Sequence, residues 1–135
     1  MAVLIDTGIL YAYYDRSDSW HKRTLKLFQA EQGGLLVPAP VIPEVDHLLG
    51  NRLGKAAQAA LYEGLSGGDY FVFDLPREKY SRVAELNQRF ADLSLGFVDA
   101  AVMAISEVLE LPRIATIDRR VFGPLAAAFS LQLLP

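Results

Sequence analysis

The sequence predicts an α/β fold, a three-layer α/β/α sandwich around a central, mostly parallel sheet of five strands. Three observations carry this. Short apolar runs of strand length alternate along the chain with longer segments of helical character. One segment, residues 97–109, is apolar nearly all round, as a helix is when it lies inside a domain against a sheet and other helices. Gly and Pro stand at the joints between the segments.

The elements follow in order. Residues 2–5 form a short apolar strand, ended by Asp6-Thr7-Gly8, and residues 9–14 a short helix. The polar stretch 15–19 turns the chain, with Ser17 or Asp18 placed to cap a helix over 20–30. Gln32-Gly33-Gly34 stops that helix, and 35–37 is the second strand. After Pro38-Ala39-Pro40 a helix covers 42–53, with Pro43 in its first turn, where a missing N–H does no harm. Gly54 breaks the chain locally before a helix over 55–65, and Ser66-Gly67-Gly68 closes that unit. The third strand is 70–73. Pro76 precedes a helix over 77–90, whose Val83, Leu86 and Phe90 are spaced for one buried face. The apolar helix 97–109 ends at Pro112, and a strand over 113–116, a helix over 121–128 and a strand over 131–134 complete the chain. No repeat, low-complexity tract or linker interrupts the 135 residues, so one domain over 1–135 is expected.

Composition narrows the class. Hydrophobic residues make up 52%, which is globular and not disordered. Cysteine is absent, so disulfides, thiolate metal sites and cysteine nucleophiles are excluded. The start, Met-Ala-Val-Leu-Ile-Asp, has no basic region and reaches a charge at Asp6, unlike a signal peptide. No apolar run approaches the roughly 20 residues that span a bilayer. A soluble, cytoplasmic protein is expected. The net charge of −3 argues against binding nucleic acid through the whole surface. It leaves room for an enzyme that meets phosphates through a metal and a few local cations, with a correspondingly shallow salt dependence.

Geometry then singles out four acids. In parallel sheets ligands bind beyond the carboxyl ends of the strands. A crossover helix runs back antiparallel to its strands, so its first turn lies at that same edge. Asp6 follows strand one, Glu44 is in the first turn of the helix after strand two, Asp99 opens the helix leading to strand four, and Asp118 follows strand four. Acids favour helix N-termini through the backbone dipole, and Asp15, Asp18, Glu78 and Asp92 are explained by capping and turns. Asp99 differs because its neighbours at i+3 and i+4 are Val102 and Met103. A carboxylate among such residues is costly to desolvate unless something pairs with it. Asp6 ends an apolar strand, and Glu44 lies between Pro43 and Val45. A cation would satisfy several carboxylates together, and without one their repulsion raises at least one pKa. An all-oxygen ligand set selects Mg²⁺ or Mn²⁺, one ion or two, over structural Zn²⁺. Such a site activates water for attack on a phosphodiester.

The residues around these acids resemble PIN-domain ribonucleases, and most closely the VapC-type toxins of prokaryotic toxin–antitoxin pairs. The similar segments are Val3-Leu4-Ile5-Asp6-Thr7, Val41-Ile42-Pro43-Glu44-Val45, Leu95-Gly96-Phe97-Val98-Asp99-Ala100 and Ala115-Thr116-Ile117-Asp118-Arg119-Arg120-Val121-Phe122. Asp15-Arg16-Ser17-Asp18-Ser19-Trp20-His21 also looks like the family's segment between its first two helices. Each motif alone is weak; four in order across nearly the whole chain are specific. The resemblance implies a PIN-like fold and a Mg²⁺- or Mn²⁺-dependent endoribonuclease acting on structured RNA. It carries metal binding first to Asp6 and Asp99, then to Glu44, and last to Asp118, as an outer-shell or second-metal residue. It also implies a homodimer and a small antitoxin protein that covers the acidic pocket. Gly8 stands where members often carry Ser or Asn, which removes one hydrogen-bonding side chain; Thr7 and Thr116 remain as supporting hydroxyls. Arg119, Arg120 and Arg16 are the candidate RNA contacts, with Arg52 and Lys55 behind them, and plain surface charge is the competing account for each. His21, beside Lys22, Arg23 and Lys26, reads as a solvated or RNA-facing position before a general base. Tyr11, Tyr13, Tyr14, Trp20 and Phe28 could present a partner surface or belong to the core, with core favoured for Trp20 and Phe28.

Other classes fit less well. A receiver domain needs an acidic pair after strand one and a late Lys, and no Lys follows Lys79. A haloacid-dehalogenase-type phosphatase needs Asp-x-Asp, where Gly8 stands. A dinucleotide-binding glycine turn and a Gly-x-Ser-x-Gly elbow are both missing. The remaining alternative is a catalytically inactive PIN-like RNA-binding or regulatory module.

Overall fold

In the computed structural model, which describes residues 2–135, the strands are β1 (Val3–Ile5), β2 (Leu35–Pro38), β3 (Phe71–Phe73), β4 (Arg113–Ala115) and β5 (Gln132–Leu134). They form one sheet in the order β3-β2-β1-β4-β5, and every neighbouring pair is parallel. β1 is central. Leu4 pairs with Leu36 on one side and Ile114 on the other, and all three residues of β1 are fully buried. A strand covered on both faces reads as an unbroken apolar run, which is why Val3-Leu4-Ile5 shows no alternation.

The helices are α1 (Thr7–Tyr14), α2 (His21–Ala30), α3 (Ile42–Arg52), α4 (Lys55–Ser66), α5 (Tyr80–Arg89), α6 (Gly96–Leu109) and α7 (Arg119–Phe129). From β1 the chain moves outward to β2 and β3, then crosses back to β4 and β5 on the other side. Parallel crossovers are right-handed, so this reversal puts α1–α4 on one face and α5–α7 on the other. The point of reversal lies between β1 and β4, and in open parallel sheets the crevice for a ligand lies at such a point, at the carboxyl ends of the strands. Asp6 leaves one wall of it and Thr116 the other.

The core confirms the reading of α6, where every residue from Ala100 to Ser106 is buried, with Met103 and Ile105 among the largest fully enclosed side chains. Phe122 and Leu125 of α7 join them. Tyr11 and Phe28 are core residues, while Tyr13, Tyr14 and Trp20 are half-buried. Trp20 lies under the Arg23 guanidinium, 3.8 Å from the ring centre.

Element ends differ from expectation for local reasons. α1 begins at Thr7, directly at the strand end, because Asp6 itself adopts the extended backbone of an N-cap. Asp18 accepts from the Trp20 amide and shapes the turn, so α2 starts one residue later than expected. The helix expected over 77–90 is divided: a short 3-10 turn over Arg77–Lys79 precedes α5, closed by the Lys79 amide donating to the Pro76 carbonyl and the Tyr80 amide to the Arg77 carbonyl. α7 begins at Arg119 because Asp118 caps it, accepting from the Val121 amide at 3.2 Å.

Truncating Met103 to Ala should lower stability by roughly 2–5 kcal/mol, through lost burial and the cavity left behind. Urea unfolding of the variant beside the wild type measures this; a loss well under 1 kcal/mol would mean that α6 is not closely packed.

Candidate active site

Asp6 is the most enclosed of the four acids, at 5% exposure. Its Oδ2 accepts a 2.8 Å hydrogen bond from the Thr116 hydroxyl, which leaves β4 across the crevice. Thr116 Oγ1 in turn accepts from the Asp118 amide at 3.0 Å. One buried hydroxyl thus ties the end of β1 to the start of the turn into α7. On the other side, the Thr7 hydroxyl donates to Glu44 Oε1 at 2.7 Å and joins α1 to α3. Thr7 and Thr116 therefore hold the carboxylates of Asp6 and Glu44 in place.

Electrostatics shows that the acids share one neighbourhood. Burial raises the pKa of Asp6. The Thr116 hydroxyl and Thr7 amide pull it down, and the charges of Asp118 and Glu44 push it up. Asp99 is pushed up to about 7, by burial first and then by Asp6, Asp118 and Glu44, with Arg120 opposing. Asp99 accepts no hydrogen bond among the described residues, although Val102 and Met103 beneath it are fully buried. A half-buried carboxylate with three like charges around it and no donor is the feature of this edge that calls for a cation.

The acids do not form a ready-made cage. Among the described residues no three His, Cys, Asp or Glu side chains stand close enough to enclose a metal ion. Glu44 is exposed, and Asp118 spends one oxygen on capping α7. This arrangement suits a hard cation that keeps several waters and takes one or two carboxylates, as Mg²⁺ does. It does not suit an ion that strips its water shell. Asp6 and Asp99 could hold such an ion, with Glu44 and Asp118 beside it.

The other candidates separate. Arg120 faces the site: its charge acts on Asp99, and its Nη1 donates to the Leu93 carbonyl at 3.1 Å. Arg119 turns instead to the Pro135 carbonyl at 3.1 Å. Arg16 is exposed and lies past the far end of α1, about 12 Å of helix away from Thr7. His21 Nδ1 meets the Ala12 carbonyl at 2.7 Å at that far end, which is a helix-terminating contact. Gly8 packs beneath Ile117, and a Cβ there would come within 2.8 Å of that side chain. A Ser or Asn at this position, as members of the resembled family often carry, would need Ile117 to move. Sequence reasoning missed Asn87. Its side chain clamps Gly96 at both ends, accepting from the Gly96 amide at 2.9 Å and donating to the Gly96 carbonyl at 3.0 Å, and so sets the start of α6. The only signal was a polar residue on a helix flank.

A parallel sheet in this order, with acids gathered at its switch point, defines a class that comparison identifies: the PIN domain family model matches residues 3–126, and the chain belongs to that family. Among known proteins it is similar to Ribonuclease VapC26 of Mycobacterium tuberculosis, 28% identical over 123 residues that cover 91% of each chain. Its fold is that of the crystal structure of Mycobacterium tuberculosis VapC20, described as a sarcin-ricin loop cleaving toxin. The TM-score is 0.85 and the identity 20%, over 99% of this chain and all of the other. A toxin-antitoxin complex from Klebsiella pneumoniae shares the fold at a TM-score of 0.73 and 16% identity, covering 99% of this chain and 97% of that one.

The raised Asp99 pKa has a definite sign. The folded protein holds a proton on Asp99 that the unfolded chain releases near its ordinary value of 3.8. Stability of the metal-free protein should therefore fall as pH rises from about 4 to about 7 and level off above. Thermal melts in chelator across this range, compared with Asp99→Asn, isolate the effect. The variant should melt higher than the wild type at pH 8 and near it at pH 4; parallel profiles would contradict the reading.

Proposed function

We propose that residues 1–135 act as one PIN-like nuclease domain, a divalent-metal-dependent endoribonuclease that hydrolyses RNA phosphodiester bonds as the toxin of a type II toxin–antitoxin pair. The observation that carries it is Asp99, crowded by three acids and lacking a donor, at the switch point of a PIN fold. The similarity to a ribonuclease over nine-tenths of the chain supports the reaction. The kinship in fold with a chain from a toxin–antitoxin complex supports an antitoxin partner. A homodimer and a cytoplasmic location complete the proposal; no helix among the described residues is long and apolar enough to cross a membrane.

Asp6 and Asp99 would hold Mg²⁺ or Mn²⁺, as one ion or two, with Glu44 third and Asp118 in an outer or second-ion place. When bound, the ion neutralises charge on the phosphodiester and lowers the pKa of a water. This chain's residues do the rest. The Thr116 hydroxyl keeps one oxygen of Asp6 engaged and so fixes the direction of the other. Thr7 steadies Glu44 in the same way. Arg120, whose charge acts on Asp99, would meet a phosphate oxygen, with Arg119 next to it on the exposed start of α7.

Purified protein with RNA and Mn²⁺ or Mg²⁺ tests this. Asp6→Asn and Asp99→Asn should each lose on the order of a thousand-fold in cleavage, equivalent to several kcal/mol of charge stabilisation. Identical behaviour of wild type and both variants, in metal and in chelator, would instead identify an inactive RNA-binding module. Thr116→Val should reduce cleavage by roughly 10–100-fold, with a matching rise in the metal concentration required. An unchanged metal requirement would remove Thr116 from the site.

A further inference from the structure

Six large apolar side chains are exposed among the described residues: Leu53, Tyr62, Phe71, Val72, Tyr80 and Phe97. Two of them form a ring pair. Tyr80 and Phe97 stack with centroids 6.0 Å apart and planes 23° from parallel, while remaining 52% and 46% exposed. Rings that only fill a core are covered, and lone surface aromatics need no account. Two that stack on each other and stay half open present a flat aromatic surface to solvent.

Its place in the fold matters. Phe97 is in the first turn of α6, two residues before Asp99. Tyr80 opens α5, which the chain reaches from the carboxyl end of β3 through residues 74–79. The Asn87 clamp on Gly96 fixes α5 against the start of α6, so one contact sets both the ring pair and Asp99. Two positions along a helix rise about 3 Å. Phe97 and Asp99 leave the first turn of α6 about 200° apart round its axis, with Tyr80 reaching Phe97 from α5, so a strand passing over the head of α6 could lay a splayed base on the rings while its phosphate faced the acids.

Charge favours the same occupant. The protein carries −3 overall, yet the exposed turn just before Tyr80, with Arg77 and Lys79 on either side of Glu78, is net positive. Arg120 reaches across to the Leu93 carbonyl in the segment before α6. Aromatic faces bordered by cations are the features that bind unpaired nucleic acid, since every base has a π face and every nucleotide a phosphate.

Building on the ribonuclease reading above, we infer that Tyr80 and Phe97 form a stacking platform for an unpaired RNA base next to the phosphodiester that is cut. The pair acts on substrate binding, and it selects RNA whose strand is free to unstack at that point. Duplex RNA, with its bases paired and stacked, cannot use it.

The test uses the full chain with Mn²⁺ and a synthetic RNA bearing the bond that the wild type cleaves, mapped from a digest of total RNA. Tyr80→Ala and Phe97→Ala should each raise KM by about ten-fold or more and leave kcat within about two-fold. Tyr80→Phe and Phe97→Tyr should retain the wild-type KM. An abasic nucleotide, scanned through the positions flanking the cut, should at one position cost the wild type a similar factor and cost the alanine variants nothing further. Unchanged KM in both alanine variants, or abasic penalties that simply add, would overturn the platform while leaving the nuclease intact. Smaller sedimenting species in the alanine variants, with the abasic penalty undiminished, would make the pair a subunit contact and overturn it equally. A wild type that cleaves no RNA with any metal would sink the nuclease reading itself, and this one with it.

Discussion

A carboxylate at the end of a doubly covered strand must be protonated, hydrogen-bonded or neutralised, and Asp6 is the point where this constraint enters the fold. β1 places it in the crevice between β1 and β4, with burial raising its pKa. The Thr116 hydroxyl meets part of the cost. Because that hydroxyl also accepts the Asp118 amide, the same contact sets the turn that starts α7. Glu44 arrives through Thr7, and Asp99 through the Asn87 clamp at the head of α6. The site is therefore a set of charges that the backbone brings together against their mutual repulsion.

The opposite end of the molecule shows what acids look like when they are only structural. Asp15 is also buried, but it accepts from the Tyr11 hydroxyl and from both the amide and hydroxyl of Ser17, and these bonds hold its pKa below the ordinary value. Glu31 pairs with the Arg113 guanidinium through both oxygens, and its pKa is lowered too. Asp6 and Asp99 go the other way. Residues of one chemical type thus divide by whether the fold supplies partners. At the carboxyl edge Asp99 has no donor and the bonds to Asp6 do not offset its burial, which leaves these acids in need of a cation.

Much of the site was legible in the sequence because parallel topology is restrictive. Once 2–5 and 113–116 are read as strands and 42–53 and 97–109 as crossover helices, Asp6, Glu44, Asp99 and Asp118 have to share an edge. The all-round apolar pattern of α6 also marked Asp99 as costly, and its position over buried Val102 and Met103 agrees. Asp118 illustrates how two readings can both hold: it caps α7, and its charge still reaches Asp6 and Asp99. The arginines were less legible. Adjacency to Asp118 singled out both Arg119 and Arg120, but their guanidinium groups part, Arg119 to the Pro135 carbonyl and Arg120 to the Leu93 carbonyl, from where its charge acts on Asp99.

The sequence by itself determined the alternation of strands and helices, the buried α6 and the edge on which the acids lie, since these follow from periodicity and from chain direction. Tertiary structure alone decided which hydroxyl meets which carboxylate, as Thr7 with Glu44 and Thr116 with Asp6 are 37 and 110 residues apart. It decided that Asn87 pins Gly96, that Gly8 is closed over by Ile117, and that Tyr80 lies on Phe97. It also decided the raised pKa of Asp99, which follows from burial first and then from three charges on other elements. The physical reason is common to all of these. Hydrogen bonds, ring contacts and Coulomb terms act over a few ångströms, and sequence spacing carries no information at that scale until crossing angles and register are set.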